Sequence, residues 1–485
     1  VDAAASNDIV LVTNGVYSTG ARVDSSEISN RVLVSKALTL ESVNGFGVTT
    51  IQGDSGTRCV YLTNGSSLSG FTLTGGSGGT PGGGGVYCAD LNSEVSNCLI
   101  SNNIGTYGGG VRGGILSYCV IANNGDSDYS GDIGFSPVAS GGGADGSTLN
   151  NCTISENEAA DNGGGVFDCT LTNCTLSGNA ASHGGGAWAS TLNNCILDGN
   201  MGYFGGGASA CDLTNCLLVN NSVSIPQSEY EGDEATGGGA FVATLNNCTV
   251  YNNTAVGANG GVASAVLNNC IVYDNIDTNG FPNYDNEDCL LNNCCTTPLP
   301  SRGLGNMTNA PLLSGSYHLQ SNSPCINSGK NSYVNSTNDL DGNPRIVGGT
   351  VDIGAYEYQT PTSIISYAWL QQYGFPIDGS SDFVDSDGSG MNHYQDWVAG
   401  LNPTNPSSVL AVVSAVPTNN PSGIVVTWQS VANISYNLLR STSLTSPPSF
   451  VAIQSNISGS TGTTSFTDTN IFGPGPFYYC IGVDH

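Results

Sequence analysis

Gly163-Gly-Gly-Val-Phe-Asp-Cys-Thr-Leu-Thr-Asn-Cys-Thr-Leu-Ser-Gly-Asn179 is followed by Gly184-Gly-Gly-Ala-Trp-Ala-Ser-Thr-Leu-Asn-Asn-Cys-Ile-Leu-Asp-Gly-Asn200, and the two segments match position by position. The unit recurs through Gly141 to Asn275: a glycine group, a Leu, a Cys, an aliphatic residue two places on and an Asn five places on. The cysteines are Cys98, Cys119, Cys152, Cys174, Cys195, Cys216, Cys248 and Cys270, with Cys294 as a ninth. The asparagines are Asn103, Asn124, Asn157, Asn179, Asn200, Asn221, Asn253 and Asn275. Such self-similarity is the signature of a repeat protein.

The period decides the architecture. Most units are 21 or 22 residues long, and two are lengthened by about ten. That is too short for a helical pair, and Gly, Asn, Thr and β-branched residues replace helix formers. Three short strands joined by tight turns fit one rung of a parallel β-helix. Rungs stacked ~4.8 Å apart would align equivalent residues into ladders. Leu149, Leu171, Leu192, Leu213, Leu245 and Leu267 form one expected apolar ladder, and the cysteines another. Parallel crossovers predict a right-handed helix. A left-handed helix would need a six-residue period, which is absent. The expected fold class is therefore all-β, a right-handed parallel β-helix followed by a small β-sandwich.

Solenoids grow in one dimension, so 485 residues do not demand several cores. Nine Lys and Arg against 38 Asp and Glu give a net charge of −29. That field repels phosphate and disfavours nucleic acid or an anionic membrane surface as partner. No apolar run is long enough to span a bilayer. The chain begins at Val1 rather than Met, which suggests a processed form and an extracellular or cell-surface location. Of the seventeen cysteines, those in register read as a buried ladder of small hydrophobes. Off-ladder Cys59, Cys88, Cys169, Cys211, Cys289, Cys295 and Cys325 are the better disulfide candidates, and Cys480 has no partner in its own domain.

The rest of the chain divides by composition. Residues 1–75 read as N-terminal rungs, 76–310 as regular rungs, and 311–358 as the cap that closes the solenoid against exposed strand edges. A Pro/Ser/Thr linker at 359–366 leads to residues 367–410, an acidic loop flanked by short helices. From 411 to 485 alternation takes over, as in VVTWQS and FYYCIGV, and predicts the antiparallel sandwich. Ten Asn-x-Ser/Thr sequons occur, but those before ladder cysteines follow from the repeat and are weak signs of glycosylation.

The pairing of Ile154-x-x-Asn157 with Gly163-Gly-Gly-Val166 resembles the repeats of polymorphic outer-membrane proteins. The run ending Asp352-Ile-Gly-Ala-Tyr-Glu357 resembles the end of pectate-lyase-like, choice-of-anchor-type β-helix proteins. Together these cover about residues 30 to 358 and imply a secreted or surface-attached bacterial protein, in a group where many members have no known activity. Residues 385–403 are similar to calcium loops that follow such domains.

Asp385-Ser-Asp-Gly-Ser-Gly-Met-Asn-His-Tyr-Gln-Asp396 also matches the EF-hand template directly. Asp385, Asp387 and Ser389 take positions 1, 3 and 5, and Gly390 makes the turn at 6. The Met391 carbonyl takes 7, His393 sits at 9 and Asp396 closes at 12, where Glu is usual. Calcium is the expected cofactor, with the role of stiffening the joint between solenoid and sandwich.

No catalytic residues stand out. Between Gly75 and Leu299 the only Lys or Arg is Arg112, which argues against a lyase acting on polyanions. Asp145, Asp168, Asp198 and Asp212 occupy different rung positions and form no evident pair. Binding is better supported. Two places after each glycine group come Tyr87, Arg112, Asp145, Phe167, Trp188, Ser209, Phe241 and Ala263, and alternation points them outward. Tyr87, Phe167, Trp188 and Phe241 then make an aromatic stripe that suits a glycan platform, a protein contact or coverage by a neighbouring loop. The insertions Asp126 to Ser140 and Ser222 to Thr236 are expected to project from one edge of the same scaffold. The leading expectation is a non-catalytic, extracellular structural or adhesive protein, partnered by surface glycans or by itself in head-to-tail filaments. A polysaccharide-active enzyme, lyase or hydrolase, is the alternative.

Overall fold

A computed structural model describes residues 1–125, 140–224, 235–278, 280, 282–419, 422–445, 449–471 and 475–483. Its contacts group the chain into two units: residues 1–320, 332–346 and 351–359, and residues 321–331, 347–350 and 360–485. No described helix is long and apolar enough to cross a membrane.

The first unit is a parallel β-solenoid. One eleven-stranded and two twelve-stranded sheets run along it; apart from the antiparallel strand Arg22–Val23 at one end, their strands pair in parallel with their equivalents in adjacent rungs. In the rung from Gly163, the strands are Val166–Phe167 on a first face, Thr170–Thr172 on a second and Thr175–Ser177 on a third. The expected leucine ladder is present, with Leu149, Leu171, Leu192, Leu213, Leu245 and Leu267 paired in register and almost fully buried.

A fourth side was not anticipated. Residues Gly163, Asp168, Asn173 and Gly178 all have φ between 50° and 63°, so the backbone turns a left-handed corner every five residues. Val166, Leu171, Leu176 and Ala181 point inward from the middle of the four sides and are buried. The fourth side is short, carried by single bridges such as Glu158↔Ala180↔Met201 and by a four-stranded ladder that includes Met201–Gly202. Asn or Gly occupies most corners because they tolerate positive φ at least cost. Glycine is required after the corner for another reason: a Cβ on Gly165 would lie 2.4 Å from the Gly186 carbonyl oxygen.

The asparagine ladder holds this corner against the core. The Oδ1 of Asn179 accepts both the backbone N–H and the Nδ2–H of Asn157, each at 3.0 Å. Its own Nδ2 donates to Ile154 O at 3.0 Å and to Asn200 Oδ1 at 2.9 Å. The same pattern runs unbroken from Asn103 through Asn275 to Asn283. Each amide thereby ties together three rungs in a buried setting where an unpaired polar atom is costly.

All seventeen cysteines are free thiols, and every one except Cys480 is buried. The ladder thiols also bond between rungs: Cys174 Sγ donates toward Leu149 O at 3.5 Å and accepts the Cys152 N–H at 3.4 Å. The off-ladder cysteines do not form the expected bridges. Cys169, Cys211 and Cys289 stand in a second column with Ser147, Ser190 and Ala265, where Cys169 accepts from Ser147 N and Cys211 from Ser190 N, each at 3.4 Å, and so does Cys289 from Ala265 N. Ser190 separates Cys169 from Cys211 by a full rung.

Part of the expected cap packs along the flank. Ala355 and Tyr356 bury Leu217 and Val219, two outward positions on the third face that are apolar and need cover. Hydrogen bonds from Asn215 to Ser336 and Asn338, and from Ala355 to Thr249, fasten this segment. Arg345 is buried and donates to the carbonyls of Asp352 and Gly354.

The second unit contains two helices, α1 (Tyr367–Tyr373) and α2 (His393–Ala399), and two three-stranded antiparallel sheets. Strands Val412–Asn419, Ser422–Ser430 and Gly462–Asp468 make one sheet; Val451–Ser458, Ser435–Ser441 and Tyr478–Val483 make the other. Val426, Trp428, Tyr436 and Leu438 form their common core, as the alternating sequence predicts.

Replacing one ladder amide tests the part it plays. Asn179→Ala orphans the Asn157 N–H and should cost about 2–4 kcal/mol in urea denaturation. The exposed outward change Thr170→Ala should stay within about 0.5 kcal/mol. Equal, small effects from both would contradict the ladder's role.

Candidate functional site

The acidic loop lies between α1 and α2. Helix α2 begins with a capping box in which Asn392 accepts from Gln395 N and Gln395 accepts from Asn392 N. This start places Asp396 in the first turn, where it is only 1% exposed. Asp385 accepts the N–H groups of Gly388 and Gly390 at 2.8 and 2.9 Å, and those bonds, led by Gly390, hold its carboxyl below the usual range. Asp387 Oδ1 accepts from Ser389 N at 3.0 Å. Asp387 Oδ2 and Asp396 Oδ1 are buried without a hydrogen-bond partner. Burial, with the charges of Asp387 and Asp385, pushes the Asp396 carboxyl up to about 6. Two of these three carboxylates thus have unspent oxygens.

The side chains of Ser389, Met391 and His393 make other contacts as well. The Ser389 hydroxyl accepts from Met391 N, while the Met391 sulfur accepts from Leu410 N. The His393 ring stacks on Phe375 at 3.9 Å and its Nε2 lies 2.9 Å from Ser386 Oγ. Its Nδ1 is buried without a hydrogen-bond partner. Among the described residues, no three His, Cys, Asp or Glu side chains already surround a common metal position.

The aromatic stripe is present on the first face. Tyr61, Tyr87, Arg112, Asp145, Phe167, Trp188, Ser209, Phe241 and Ala263 occupy successive rungs in register. Tyr87, Phe167, Trp188 and Phe241 are half-buried. The rings of Phe167 and Trp188 stack at 4.9 Å with 12° between their planes, and Tyr61 meets Tyr87 edge-on at 5.6 Å. Ser209 separates Trp188 from Phe241, which contacts Phe204 instead at 5.2 Å.

A second column escaped the sequence reading. Tyr107, Ser140, Asn162, His183, Phe204 and Thr236 each precede a glycine corner and pair along the solenoid by single bridges. His183 stacks on Phe204 at 5.3 Å and lies 3.4 Å from Asp161. The glycine corners, which carry no side chain, separate the two columns. Its signal lies one place before each glycine group, where the residue type changes from unit to unit.

Arg112 and Asp145 give this face its charge. Arg112 Nε lies 3.7 Å from Asp145 Oδ1, its Nη1 donates to Pro81 O, and its guanidinium sits 4.8 Å from the Tyr107 ring centre. The Asp145 side chain is 10% exposed. Burial pushes its carboxyl up to about 6; Arg112 opposes that rise and the Asp168 charge adds to it. Residues 126–139 and 225–234, the bulk of the two insertions, lie outside the described residues.

No family model and no curated protein matches the chain. Similar solved structures include pectate lyase Pel9A, at 14% identity and TM-score 0.38, covering 73% of this chain and 89% of that one. An Acinetobacter phage tailspike matches at 10% identity and TM-score 0.28, covering 96% and 73%. A mannuronic acid specific polysaccharide family 6 lyase from human gut microbiota matches at 10% identity and TM-score 0.29, covering 63% and 87%. Likeness at this level transfers no activity.

Asp145 links the face to pH. Its folded-state carboxyl is raised above the ordinary 3.8, so its contribution to stability is present below pH 4 and lost as pH rises through about 6. Asp145→Asn removes the buried charge. Its stability relative to the parent should rise between pH 4 and 7.5, by roughly 1–3 kcal/mol. A difference that stays constant over that range would contradict the assignment.

Proposed function

We propose that this β-helix protein binds neutral glycans through the aromatic column of its first face and serves an extracellular adhesive role. The observation that carries the reading is the parallel, face-stacked and half-exposed Phe167–Trp188 pair. Aromatic edges held on a rigid sheet offer apolar contact to the C–H groups of a sugar, and a saccharide chain could run along rungs ~4.8 Å apart. The net charge of −29 favours neutral over polyanionic glycans. Loops supported by such a scaffold commonly add contacts. Retention on insoluble cellulose, xylan and chitin is the test. The double variant Phe167→Ala, Trp188→Ala should weaken retention at least about tenfold, a loss of about 1.4 kcal/mol. Unchanged retention, or none by the parent on any of these glycans, would overturn the reading.

We also propose calcium for the loop between α1 and α2. The buried, unpartnered oxygens of Asp387 and Asp396 support it, since a hard cation would satisfy both and offset the burial and neighbouring charges that raise the Asp396 carboxyl. Asp385, Asp387, Asp396 and the Met391 carbonyl would hold it, and Asp396 would thereby tie the loop to α2. Because ligands must be ionised, calcium should raise the melting temperature of the full chain more at pH 7.5 than at pH 4.5. Asp396→Asn should abolish that shift. Equal melting curves with calcium and with chelator at pH 7.5, together with no calcium retained on dialysis, would exclude the site.

A further inference from the structure

We infer that the turn Ser314-Gly-Ser-Tyr-His318 and Asp341 hydrolyse an ester of a short carboxylic acid, with Ser316 as nucleophile, His318 as its base and Asp341 as the positioning residue for His318. This activity goes beyond glycan binding and does not depend on it. Ser316 Oγ is 3.0 Å from His318 Nδ1, and His318 Nε2 is 2.7 Å from Asp341 Oδ2. A hydroxyl, an imidazole and a carboxylate joined in this order activate a serine, here with the two ring nitrogens interchanged relative to the usual arrangement.

The chain brings these groups together by a tight turn in the segment that flanks the third face. Leu313 and Leu319 pair as an antiparallel bridge, Ser314 N donates to His318 O at 2.8 Å, and Tyr317 N donates to Ser314 O at 3.0 Å. The turn puts Tyr317 at φ 65°, in the left-handed region that Gly or Asn enters at less cost. Packing of the Tyr317 ring beside Tyr356 and edge-on to Tyr251, at 5.7 Å, holds it there. The His318 ring stacks on Tyr356 at 3.9 Å, and the Asp341 N–H is tied to Asp339 Oδ1 at 3.0 Å. Ser316 is exposed, and the His318 and Asp341 side chains are 39% and 43% exposed, so a solute reaches all three.

The partners also place the protons. A carboxylate only accepts, so Asp341 keeps the ring hydrogen on Nε2 and leaves Nδ1 with a lone pair. The Ser316 hydroxyl is then the donor to Nδ1. The Ser316 carbonyl, 2.9 Å from Nδ1, becomes a partner once Nδ1 has taken a proton. Ser314 Oγ accepts the N–H groups of His318 and Ser316 at 3.2 and 3.4 Å. Its own hydrogen is left for Ser316 Oγ, 3.2 Å away, or for an oxyanion forming beside it. A Cβ on Gly315 would meet nothing within 4 Å, which leaves room next to Ser316 for a small acyl group.

In the step itself, Ser316 Oγ bonds to the acyl carbon as its proton passes to His318 Nδ1. The bond from that carbon to the ester oxygen breaks, and the oxygen leaves with the electron pair and the Nδ1 proton as an alcohol. Water, giving a proton to Nδ1, then adds to the acyl carbon. The bond to Ser316 breaks, Oγ recovers a proton from Nδ1, and the carboxylic acid departs. The net change is one water added across one ester bond, with nothing oxidised or reduced.

The full chain is tested with p-nitrophenyl acetate and, separately, with a fluorophosphonate, which traps an activated serine as a phosphonyl ester with loss of fluoride. The expected result is hydrolysis above the buffer rate and an adduct on the Ser316 peptide by mass spectrometry, a readout that needs no variant to fold. Ser316→Ala and His318→Gln should each lose at least about a hundredfold in rate. Asp341→Asn should lower kcat at unchanged KM and Asp341→Glu should restore part of it, a split that a merely structural aspartate would not give. Thr170→Ala, on the second face, should match the parent. Melting temperatures of the variants within a few degrees of the parent exclude misfolding as the cause. No hydrolysis by the parent, no adduct on Ser316, or hydrolysis that survives Ser316→Ala each overturns the inference. An adduct that forms as fast in His318→Gln overturns the assignment of the base.

Discussion

Everything in the solenoid depends on the buried asparagine amides. A side-chain amide has one acceptor and one two-hydrogen donor, and at Asn179 all are spent on the rungs before and after. The chain can therefore turn a sharp corner inside the protein without leaving backbone groups unpaired. Leucines fill the interior, but apolar packing is non-directional and would tolerate a slipped rung. Hydrogen bonds from amide to amide fix the register. A shift by one residue would strand the whole column, so the ladder supplies specificity that the hydrophobic core does not.

Fixed register is what turns a repeat into a surface. With corners every five residues, the outward positions of each side are copied along the axis, and their chemistry depends only on which residue each unit places there. On the second face these residues are mostly Thr and Asn. On the first face they become Arg112, Asp145, Phe167, Trp188 and Phe241, a departure the core does not require. Each of these sits opposite an inward Val or Ala whose burial holds its strand in place. The scaffold thereby presents aromatic rings and one enclosed carboxyl without any loop having to order itself, which lowers the entropic cost of binding.

The solenoid was legible because its pattern is carried by identity. Leu171, Cys174 and Asn179 recur at fixed offsets, and no other architecture uses a 21-residue unit of Gly, Asn and β-branched residues so regularly. The fourth side was missed because Ala180 to His183 vary between units and make only single bridges. Cys169 and Cys211 read as spare cysteines because Ser and Ala share their column, and small buried side chains are interchangeable there. The aromatic stripe followed from alternation. The enclosure of Asp145 did not, since burial of an outward residue depends on neighbours from other rungs. In the acidic loop, spacing singles out Asp385, Asp387, His393 and Asp396 as expected ligands, whereas the stacking of His393 on Phe375, eighteen residues away, is not legible in it.

The most direct measurement is a crystal structure of the full chain with a neutral hexasaccharide of the retained polysaccharide. A face that binds through its aromatic column should show sugar C–H groups packed against the exposed edges of Phe167 and Trp188, with the next ring reaching toward Asp145. A saccharide found only elsewhere, with the Phe167–Trp188 surface bare or covered by the chain's own insertions, would contradict the account.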